Sequence, residues 1–416
     1  MEKTVVELFA GVGGFRVGLN EVKSINKKGR AIEKNNFDFV WANQWEPSTK
    51  TQYAYDCYIA RFGNDKESNI NIDIAKIDKK TIPNHTLLCG GFPCQDYSVA
   101  RSLSKEEGIK GTKGKLWWEI YDVLKTKRPK FVLLENVDRL IKSPSKQRGR
   151  DFGVMLYCFY KLGYSVEWRV INAADYGFPQ RRRRIYIFAY EKKTIYSISH
   201  NKLKIDELLV KNGFFAKTFL VKKEPNDSIL MKTLNDYNEL VEVSDNFAFS
   251  FKNSGVMVEG NIHTLTTVPN KRKSKQLIDI IQKNEIDARF FLNEKQKKKI
   301  SELRGSKKIN RTNSEGKKYV YSEGSMSPYD NLFLPGRTML TSEGTINRST
   351  HIIKDFNNNE LRVLTPVECE RLNQFPDNWT DTMPEKKRYF MMGNALVCGV
   401  IKKMGKEISK IIDCEE

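Results

Sequence analysis

The chain has 416 residues, with 71 Lys and Arg against 51 Asp and Glu and a formal net charge of +20. This length suffices for two lobes with real cores, and the excess of positive charge favours a polyanionic partner. The seven cysteines are odd in number and scattered, without a Cys-x-x-Cys pair, which argues against a disulfide framework or a zinc site. No apolar run approaches the roughly 18 residues of a membrane span, so a cytoplasmic protein is expected.

Strands and helices are predicted to alternate over the first 190 residues. Thr4 to Phe9 is predicted as a strand, Ala10 to Gly14 as a glycine turn and Phe15 to Val22 as the helix that follows. Further strands are predicted at 37–42, 87–90, 131–134 and 185–189, with helices ending near 61 and spanning 116–124. This alternation indicates a mostly parallel, Rossmann-like α/β sheet with helices on both faces.

From about residue 191 the alternation fades and the chain becomes rich in Lys and Asn. One helix is predicted there, from Glu294 to Leu303 with Asn293 as its N-cap, and residues 305–316 are predicted to be a loop. Glu368 and Arg371, three apart on a later predicted helix, are expected to form an ion pair. The predicted domains are a catalytic and cofactor-binding lobe at 1–190, an inserted, smaller and mixed recognition domain at 191–360, a hinge segment at 361–391 and a C-terminal helix at 392–416 that completes the catalytic lobe.

The segment Phe92-Pro-Cys94 places a thiol directly after a proline in a glycine-bounded turn. A buried structural cysteine would have little to pack against between Phe92 and the polar run that follows. Cys94 is therefore a candidate nucleophile.

Six sequence blocks follow one another along the chain. They are Phe9-Ala-Gly-Val-Gly-Gly-Phe15, Phe92-Pro-Cys94, Glu135-Asn-Val137, Gln180-Arg-Arg-Arg-Arg184, Leu364-Thr-Pro-Val-Glu-Cys-Glu-Arg-Leu372 and Gly393-Asn-Ala395. In kind and in order they resemble the blocks of the DNA cytosine methyltransferases that modify carbon 5 of the base, of the bacterial restriction-modification type. Six blocks in order are far more specific than one.

The resemblance implies covalent catalysis. The Cys94 thiolate adds to carbon 6 of cytosine and makes carbon 5 nucleophilic, while Glu135 bonds to or protonates N3. Alternate side chains of an extended segment share a face, so Arg182 and Arg184 are expected to point the same way. By resemblance Arg182 touches the target base and Arg184 orders the site. Asn136 is expected to brace the turn around Glu135.

S-adenosylmethionine is the implied cofactor, and no metal is expected. The glycine turn lacks the third-glycine spacing of a dinucleotide fingerprint. Gln44 stands where the family usually has an acidic residue for the ribose hydroxyls, and Glu46 lies two positions later, so either could bind the ribose. The expected cofactor contacts are Phe9, Gly11, Gly13, Gly14, Gln44, Trp45, Asp73, Ile74, Pro93, Leu116 and Asn394.

The resemblance implies that the partner is double-stranded DNA and that the enzyme is a monomer. A cognate restriction endonuclease, if one is encoded nearby, need not bind the methyltransferase. A thiol cannot reach carbon 6 inside a stacked duplex, so the target base is expected to flip out. The recognition domain is expected to choose the sequence, and residues 101–114, polar and glycine-spaced, to form a lid. The expected DNA contacts are Gln95, Ser98, Lys271, Arg272, Arg337, Thr338 and Thr341.

Three alternatives stay open at this point. A tRNA-modifying branch shares the fold and chemistry, although the chain has a large insert at 191–360 and lacks that branch's Cys-Phe-Thr signature. A DNA-binding regulator on an inactive methyltransferase scaffold is opposed by intact Cys94, Glu135 and Arg182. A dinucleotide-dependent oxidoreductase is opposed by the Phe-Pro-Cys block.

Overall fold

The computed structural model describes residues 1–47, 49–92, 115–312 and 316–415. A ten-stranded sheet runs through most of the molecule in the order β3-β2-β1-β4-β5-β7-β6-β10-β11-β9, and three two-stranded sheets pair β12 with β8, β13 with β14 and β15 with β16. The strands are β1 Thr4–Leu8, β2 Asp38–Asn43, β3 Asn69–Ile70, β4 Leu87–Gly91, β5 Phe131–Val137, β6 Tyr164–Asn172, β7 Arg183–Glu191, β8 Val221–Lys223, β9 Leu230–Thr233, β10 Ser254–Val258, β11 Asn261–Leu265, β12 Thr267–Pro269, β13 Lys307–Thr312, β14 Lys318–Glu323, β15 Ile352–Lys354 and β16 Leu361–Val363.

Helices cover both faces of the large sheet, as the alternating sequence pattern predicts. They are α1 Gly14–Leu19, α2 Tyr53–Phe62, α3 Lys115–Lys127, α4 Arg150–Lys161, α5 Ile195–His200, α6 Ile205–Glu207, α7 Phe214–Thr218, α8 Leu240–Asn246, α9 Glu294–Arg304, α10 Pro366–Leu372, α11 Glu385–Asn394 and α12 Cys398–Asp413. No helix among these described ranges is long and apolar enough to cross a bilayer.

The central strands are buried on both sides, because successive side chains point to opposite faces. Val5 belongs to the core that includes residues of α1 and α12, whereas Val6 belongs to the core that includes residues of α3 and α4. Strands β1 to β5 pair in parallel, and β7 lies antiparallel between β5 and β6. The expected Rossmann-like α/β class is confirmed.

The C-terminal helix α12 packs against α1 through small residues. At Gly18 of α1, an added Cβ would lie 2.6 Å from Cβ of Ile401 and 2.7 Å from the carbonyl oxygen of Cys398. Glycine therefore permits a close approach of the two helices. The last helix of the chain therefore packs against the first lobe, as expected.

The segment 191–360 does not lie wholly apart from the large sheet. Strands β10, β11 and β9 extend that sheet beyond β6, with Ser254 opposite Arg169 at the junction. The expected boundary at residue 190 therefore falls inside a continuous sheet. Hydrogen bonds between neighbouring backbones decide this, and the sequence of short mixed strands did not indicate which strand each would pair with.

The structure also shows the outcome for the predicted helix at 294–303 and the predicted loop at 305–316. Helix α9 has the expected N-cap: the Asn293 side chain accepts from the Gln296 backbone amide, and the Gln296 side chain accepts in return from that of Asn293. The loop predicted at 305–316 is wrong, because residues 307–312 form β13 of an antiparallel hairpin. Both faces of this hairpin are exposed, so its sequence carries no apolar alternation.

The predicted ion pair between Glu368 and Arg371 is also wrong. Glu368 is fully buried and accepts from Arg362 at 2.7 and 2.8 Å, while Arg371 pairs with Asp377 at 2.6 Å. The Glu368 carboxylate also accepts from the Thr365 backbone amide in a capping box at the start of α10. Three-residue spacing on a helix permits a contact, but partners outside the helix are better placed here.

Candidate active site

The carboxyl ends of β1, β2, β4 and β5 open into one cavity of about 830 Å³. Residues 390–391 and 393–396, at the end of α11, line its remaining side. Ligands of open α/β sheets bind at this edge, and ligand pockets span roughly 300–1,000 Å³. The cavity is therefore large enough for a nucleotide-sized molecule.

A strained turn after β1 forms one wall of the cavity. Phe9, Gly11 and Gly13 have φ values of 55°, 56° and 86°, in the left-handed region that glycine tolerates best. The Gly11 amide donates to Oε1 of Gln44 at 2.7 Å, so the side chain after β2 holds the turn in place.

The expected cofactor residues are brought together, with one exception among those described. Gly13 does not line the cavity, since its α-hydrogens face Tyr58 and Phe62, where a Cβ would come 2.4 Å from the Phe62 ring. Pro93 lies outside the described residues. The expected residues that line the cavity are Phe9, Gly11, Gly14, Gln44, Trp45, Asp73, Ile74, Leu116 and Asn394.

Glu46 stands out among the polar groups of this wall. Its Oε2 is buried without a hydrogen-bond partner, and burial raises the pKa of the carboxyl against the opposing charge of Lys387. Gln44 differs, because its Oε1 is already occupied by the Gly11 amide. Of the two side chains, Glu46 has the open acceptor.

The opposite wall carries a carboxyl and guanidinium pair. Glu135, at the end of β5, accepts from Arg184 Nε at 2.9 Å, and both side chains are mostly buried. Burial raises the pKa of Glu135, while Arg184 and then Arg182 oppose that rise. Gly91 leaves room for this carboxyl, because a Cβ there would lie 3.2 Å from Oε2 of Glu135.

Arg182, the side chain expected to touch the target base, is surrounded by backbone carbonyl groups. It is 2% exposed, does not line the cavity, and donates to the carbonyl oxygens of Met339, Gly393 and Asn394 at 3.1, 2.9 and 3.2 Å. Strand β7 begins only at Arg183, so the alternation that would put Arg182 beside Arg184 does not reach it. Arg184 is the guanidinium that faces the cavity.

Asn136 connects the Glu135 strand to the neighbouring loop. Its amide nitrogen donates to the carbonyl oxygen of Phe92 at 2.8 Å, and its Oδ1 accepts from the Val137 amide. The expected nucleophile Cys94, the expected DNA contacts Gln95 and Ser98, and the expected lid at 101–114 lie outside the described residues.

The remaining expected DNA contacts divide into two groups. The Arg337 guanidinium pairs with Asp330 at 2.6 and 3.1 Å and donates to the carbonyl oxygens of Ser349 and Thr350. The group expected to contact DNA is thus held by other groups of the chain in this structure. Thr341, Lys271 and Arg272 are exposed and Thr338 is part-exposed, although the Thr338 hydroxyl also donates to the carbonyl oxygen of Arg181.

Sequence reasoning missed part of the cavity wall. Glu119 lines the cavity one turn after Leu116 and pairs with Lys79 at 2.7 Å, and Phe390, Met391 and Leu396 line it around Asn394. Helical spacing from Leu116 and Asn394 was the available signal for Glu119, Phe390 and Met391, whereas Leu396 lies beyond the end of α11. Within the described ranges no cluster of three or more His, Cys, Asp or Glu side chains could hold a metal ion.

The sheet defines the fold class of the protein as Rossmann-like α/β, and solved methyltransferases share this fold. The Dnmt2 methyltransferase of S. pombe aligns with a TM-score of 0.57 at 15% identity, over 99% of each chain. The Entamoeba histolytica methyltransferase EhMeth aligns with a TM-score of 0.56 at 15% identity over the whole of both.

The sequence then narrows the class to one family. The model of the C-5 cytosine-specific DNA methylases matches residues 3–410, and the chain belongs to that family: it is an enzyme that methylates carbon 5 of cytosine in DNA. The Type II methyltransferase M.Sau3AI of Staphylococcus aureus is 52% identical over 409 residues, 98% of this chain and 95% of that one. M.HhaI of Haemophilus parahaemolyticus is 32% identical over 57% of this chain and 61% of its own.

Proposed function

We propose that the chain transfers a methyl group from S-adenosylmethionine to carbon 5 of a cytosine flipped out of double-stranded DNA, through a covalent adduct with Cys94. It acts as the modification half of a restriction-modification system. One observation carries the proposal: a single cavity joins the strained glycine turn to the Glu135 and Arg184 pair.

The wall formed by Phe9, Trp45 and Glu46 fits S-adenosylmethionine. The left-handed turn lets backbone approach the ligand closely, Trp45 offers an aromatic face, and the unpartnered Oε2 of Glu46 can accept from ribose hydroxyls. One Asp73 oxygen accepts from the Ala75 amide and leaves the other free to accept from an amine. When bound, the cofactor would supply the methyl group that carbon 5 takes, and its product would be S-adenosylhomocysteine.

The residues on the opposite wall carry the remaining steps. Cys94 follows Phe92 by two residues, and Asn136 fixes the Phe92 carbonyl beside Glu135. The thiolate forms a bond to carbon 6, and the electron pair of the ring's double bond moves toward N3, where Glu135 delivers a proton. Its raised pKa keeps more of the carboxyl protonated, as a proton donor requires. Once carbon 5 carries the methyl group, N3 returns its proton to Glu135. A base then takes the carbon 5 proton, and the electron pair of that bond re-forms the ring's double bond and expels the thiolate.

The restriction-modification role is supported by the relatives, which carry the name Type II methyltransferase. The match to the Staphylococcus aureus protein covers 98% of this chain and so includes the inserted region as well as the catalytic blocks. We infer that the two proteins share a target sequence. Bisulfite sequencing of one DNA methylated by each pure protein compares their sites directly.

Substitution of the nucleophile tests the mechanism. Cys94→Ser should lose methylation by at least a hundredfold while binding duplex and cofactor, because it removes the thiolate and little volume. The parent should form a covalent complex with a 5-fluorocytosine duplex, and Cys94→Ser should form none. Cys89→Ser is the matched control, since Cys89 is a fully buried strand residue. Trapping by Cys94→Ser would refute the assignment, and preferred transfer to tRNA would favour the tRNA-modifying branch.

A further inference from the structure

A two-stranded ribbon, formed by residues 307–312 and 318–323, stands outside every hydrophobic core among the described residues. Its strands β13 and β14 pair in register from Lys307 opposite Glu323 to Thr312 opposite Lys318. Apart from those first and last residues, Lys307 and Glu323, all strand positions are exposed. Isolated hairpins are marginally stable in water, so a ribbon without a core needs another reason to hold its shape.

The base of the ribbon is fixed by one side chain. Arg348 donates to the carbonyl oxygens of Leu303 and Gly305 before β13 and of Gly324 after β14. It also pairs with Glu323 at 3.3 Å. Arg348 directly follows the segment 337–347, so the ribbon is held in a set position relative to that segment.

The ribbon is basic and aromatic at the same time. Residues 307–323 contain five Lys and Arg against two Glu, and one of these, Glu323, is paired with Arg348. Arg311 lies 4.1 Å over the ring of Tyr321, which is 37% exposed, beside Tyr319, which is 46% exposed. Neighbouring exposed aromatic rings rimmed by polar side chains are one mark of an interaction surface.

The charge and the shape of the ribbon match duplex DNA. The major groove of B-DNA admits a two-stranded ribbon, arginine contacts base edges there, and lysines neutralise phosphates. Cross-strand alternation places Arg311, Tyr319 and Tyr321 on one face, and Lys308 and Lys318 on the other.

We propose that this ribbon, β13 with β14, enters the major groove of the duplex beside the target cytosine, with the Arg311, Tyr319 and Tyr321 face toward the bases and Lys308 and Lys318 on the phosphates. This inference rests on the function proposed above, because it requires that the substrate be double-stranded DNA. Arg348 then sets where the ribbon meets the DNA relative to the cavity.

Paired substitutions test the two faces separately. Lys308→Ala with Lys318→Ala should weaken binding to matched and unrelated duplexes alike and lower the slope of log affinity against log salt by roughly two units, about 0.9 per lost contact. Tyr319→Ala with Tyr321→Ala should reduce the preference for the matched duplex about tenfold or more. Lys222→Ala with Lys223→Ala is the control, because it removes two exposed lysines from the short strand β8.

The readouts are the Kd for a matched and an unrelated duplex at several salt concentrations, the Kd for S-adenosylmethionine and the sedimentation coefficient. The cofactor Kd should stay at the parent value in all variants. Duplex binding equal to that of the parent in both ribbon variants would overturn the proposal. If such a variant also changed its oligomeric state, the ribbon would instead contact a second copy of the chain. A parent that methylates no duplex would instead refute the proposed function.

Discussion

Substitutions of Arg182 and Arg184 are predicted to have different effects, one on stability and the other on activity. Arg184→Gln removes the partner of Glu135 in the cavity, so single-turnover methylation should fall strongly while the free energy of unfolding changes little. Arg182→Gln leaves buried carbonyl oxygens of Met339 and Gly393 without their donor, and the free energy of unfolding should fall by roughly 2 kcal/mol. Urea denaturation and single-turnover rates measure both effects. A stable Arg182→Gln protein without activity would contradict the structural role of Arg182.

The pH dependence of the rate is predicted from Glu135. Its pKa is raised by burial, and only the protonated carboxyl can donate, so this contribution to kcat is present at low pH and is lost as pH rises through that pKa. The contribution of the thiolate nucleophile to the rate changes in the opposite direction, since the deprotonated fraction of the thiol increases as pH rises. Glu135→Gln should therefore lower the rate and remove the alkaline decline. An unchanged alkaline decline in a single-turnover pH profile would leave Glu135 without this role.

The ribose contact is predicted to fall on Glu46. Glu46→Gln should weaken the Kd for S-adenosylmethionine roughly tenfold, because charge-assisted hydrogen bonds are worth about 1.5–3 kcal/mol. Calorimetric titration with S-adenosylmethionine measures this Kd. Glu67→Gln is the control, since Glu67 is exposed and does not line the cavity. Equal affinities in the two variants would assign the ribose to Gln44.

At the scale of elements, the contact between α1 and α12 is predicted to depend on Gly18. Gly18→Ala forces a Cβ to within 2.7 Å of the Cys398 carbonyl oxygen, and overpacking of this kind costs about 1–3 kcal/mol. Alanine also stabilises a helix relative to glycine by roughly 1 kcal/mol, so the measured loss in the free energy of unfolding should be the overpacking cost minus this gain. Gly324→Ala is the control, because nothing lies within 4 Å of its added Cβ. Chemical denaturation of both variants decides the matter, and equal stability would mean that the helices are not seated this closely.

For the whole molecule, we predict that sequence choice lies beyond the large sheet rather than throughout 191–360. Strands β9 to β11 complete that sheet, whereas the ribbon and the segment 337–347 lie outside it. Exchange of residues 270–351 with those of a Type II relative of different specificity should transfer the relative's specificity. Exchange of 191–269 should not. Bisulfite sequencing shows the methylated sites of each chimera, and a 270–351 chimera with unchanged specificity would refute this division.

The sequence by itself determined the elements whose cause is local. Apolar runs fix the central strands, the glycine turn follows from φ values that few residues tolerate, and Asn293 caps α9 through groups within four residues. These features need no knowledge of distant parts of the chain. The order of the six blocks was also enough to indicate the family, which the match over residues 3–410 confirms.

Only the tertiary structure decided which partner each polar side chain meets. Arg182 and Arg337 look like ligand-binding arginines in the sequence, yet each is occupied by groups far along the chain or across a turn. Glu46 is favoured over Gln44 for the ribose because its Oε2 has no partner among the described residues, and the ribbon became a candidate because both its faces are exposed. The periodicity of a sequence indicates which face of a helix or strand a side chain occupies. The free energy of burying a charged side chain depends instead on the polar groups that surround it, and these come from distant parts of the chain that meet only in the folded structure.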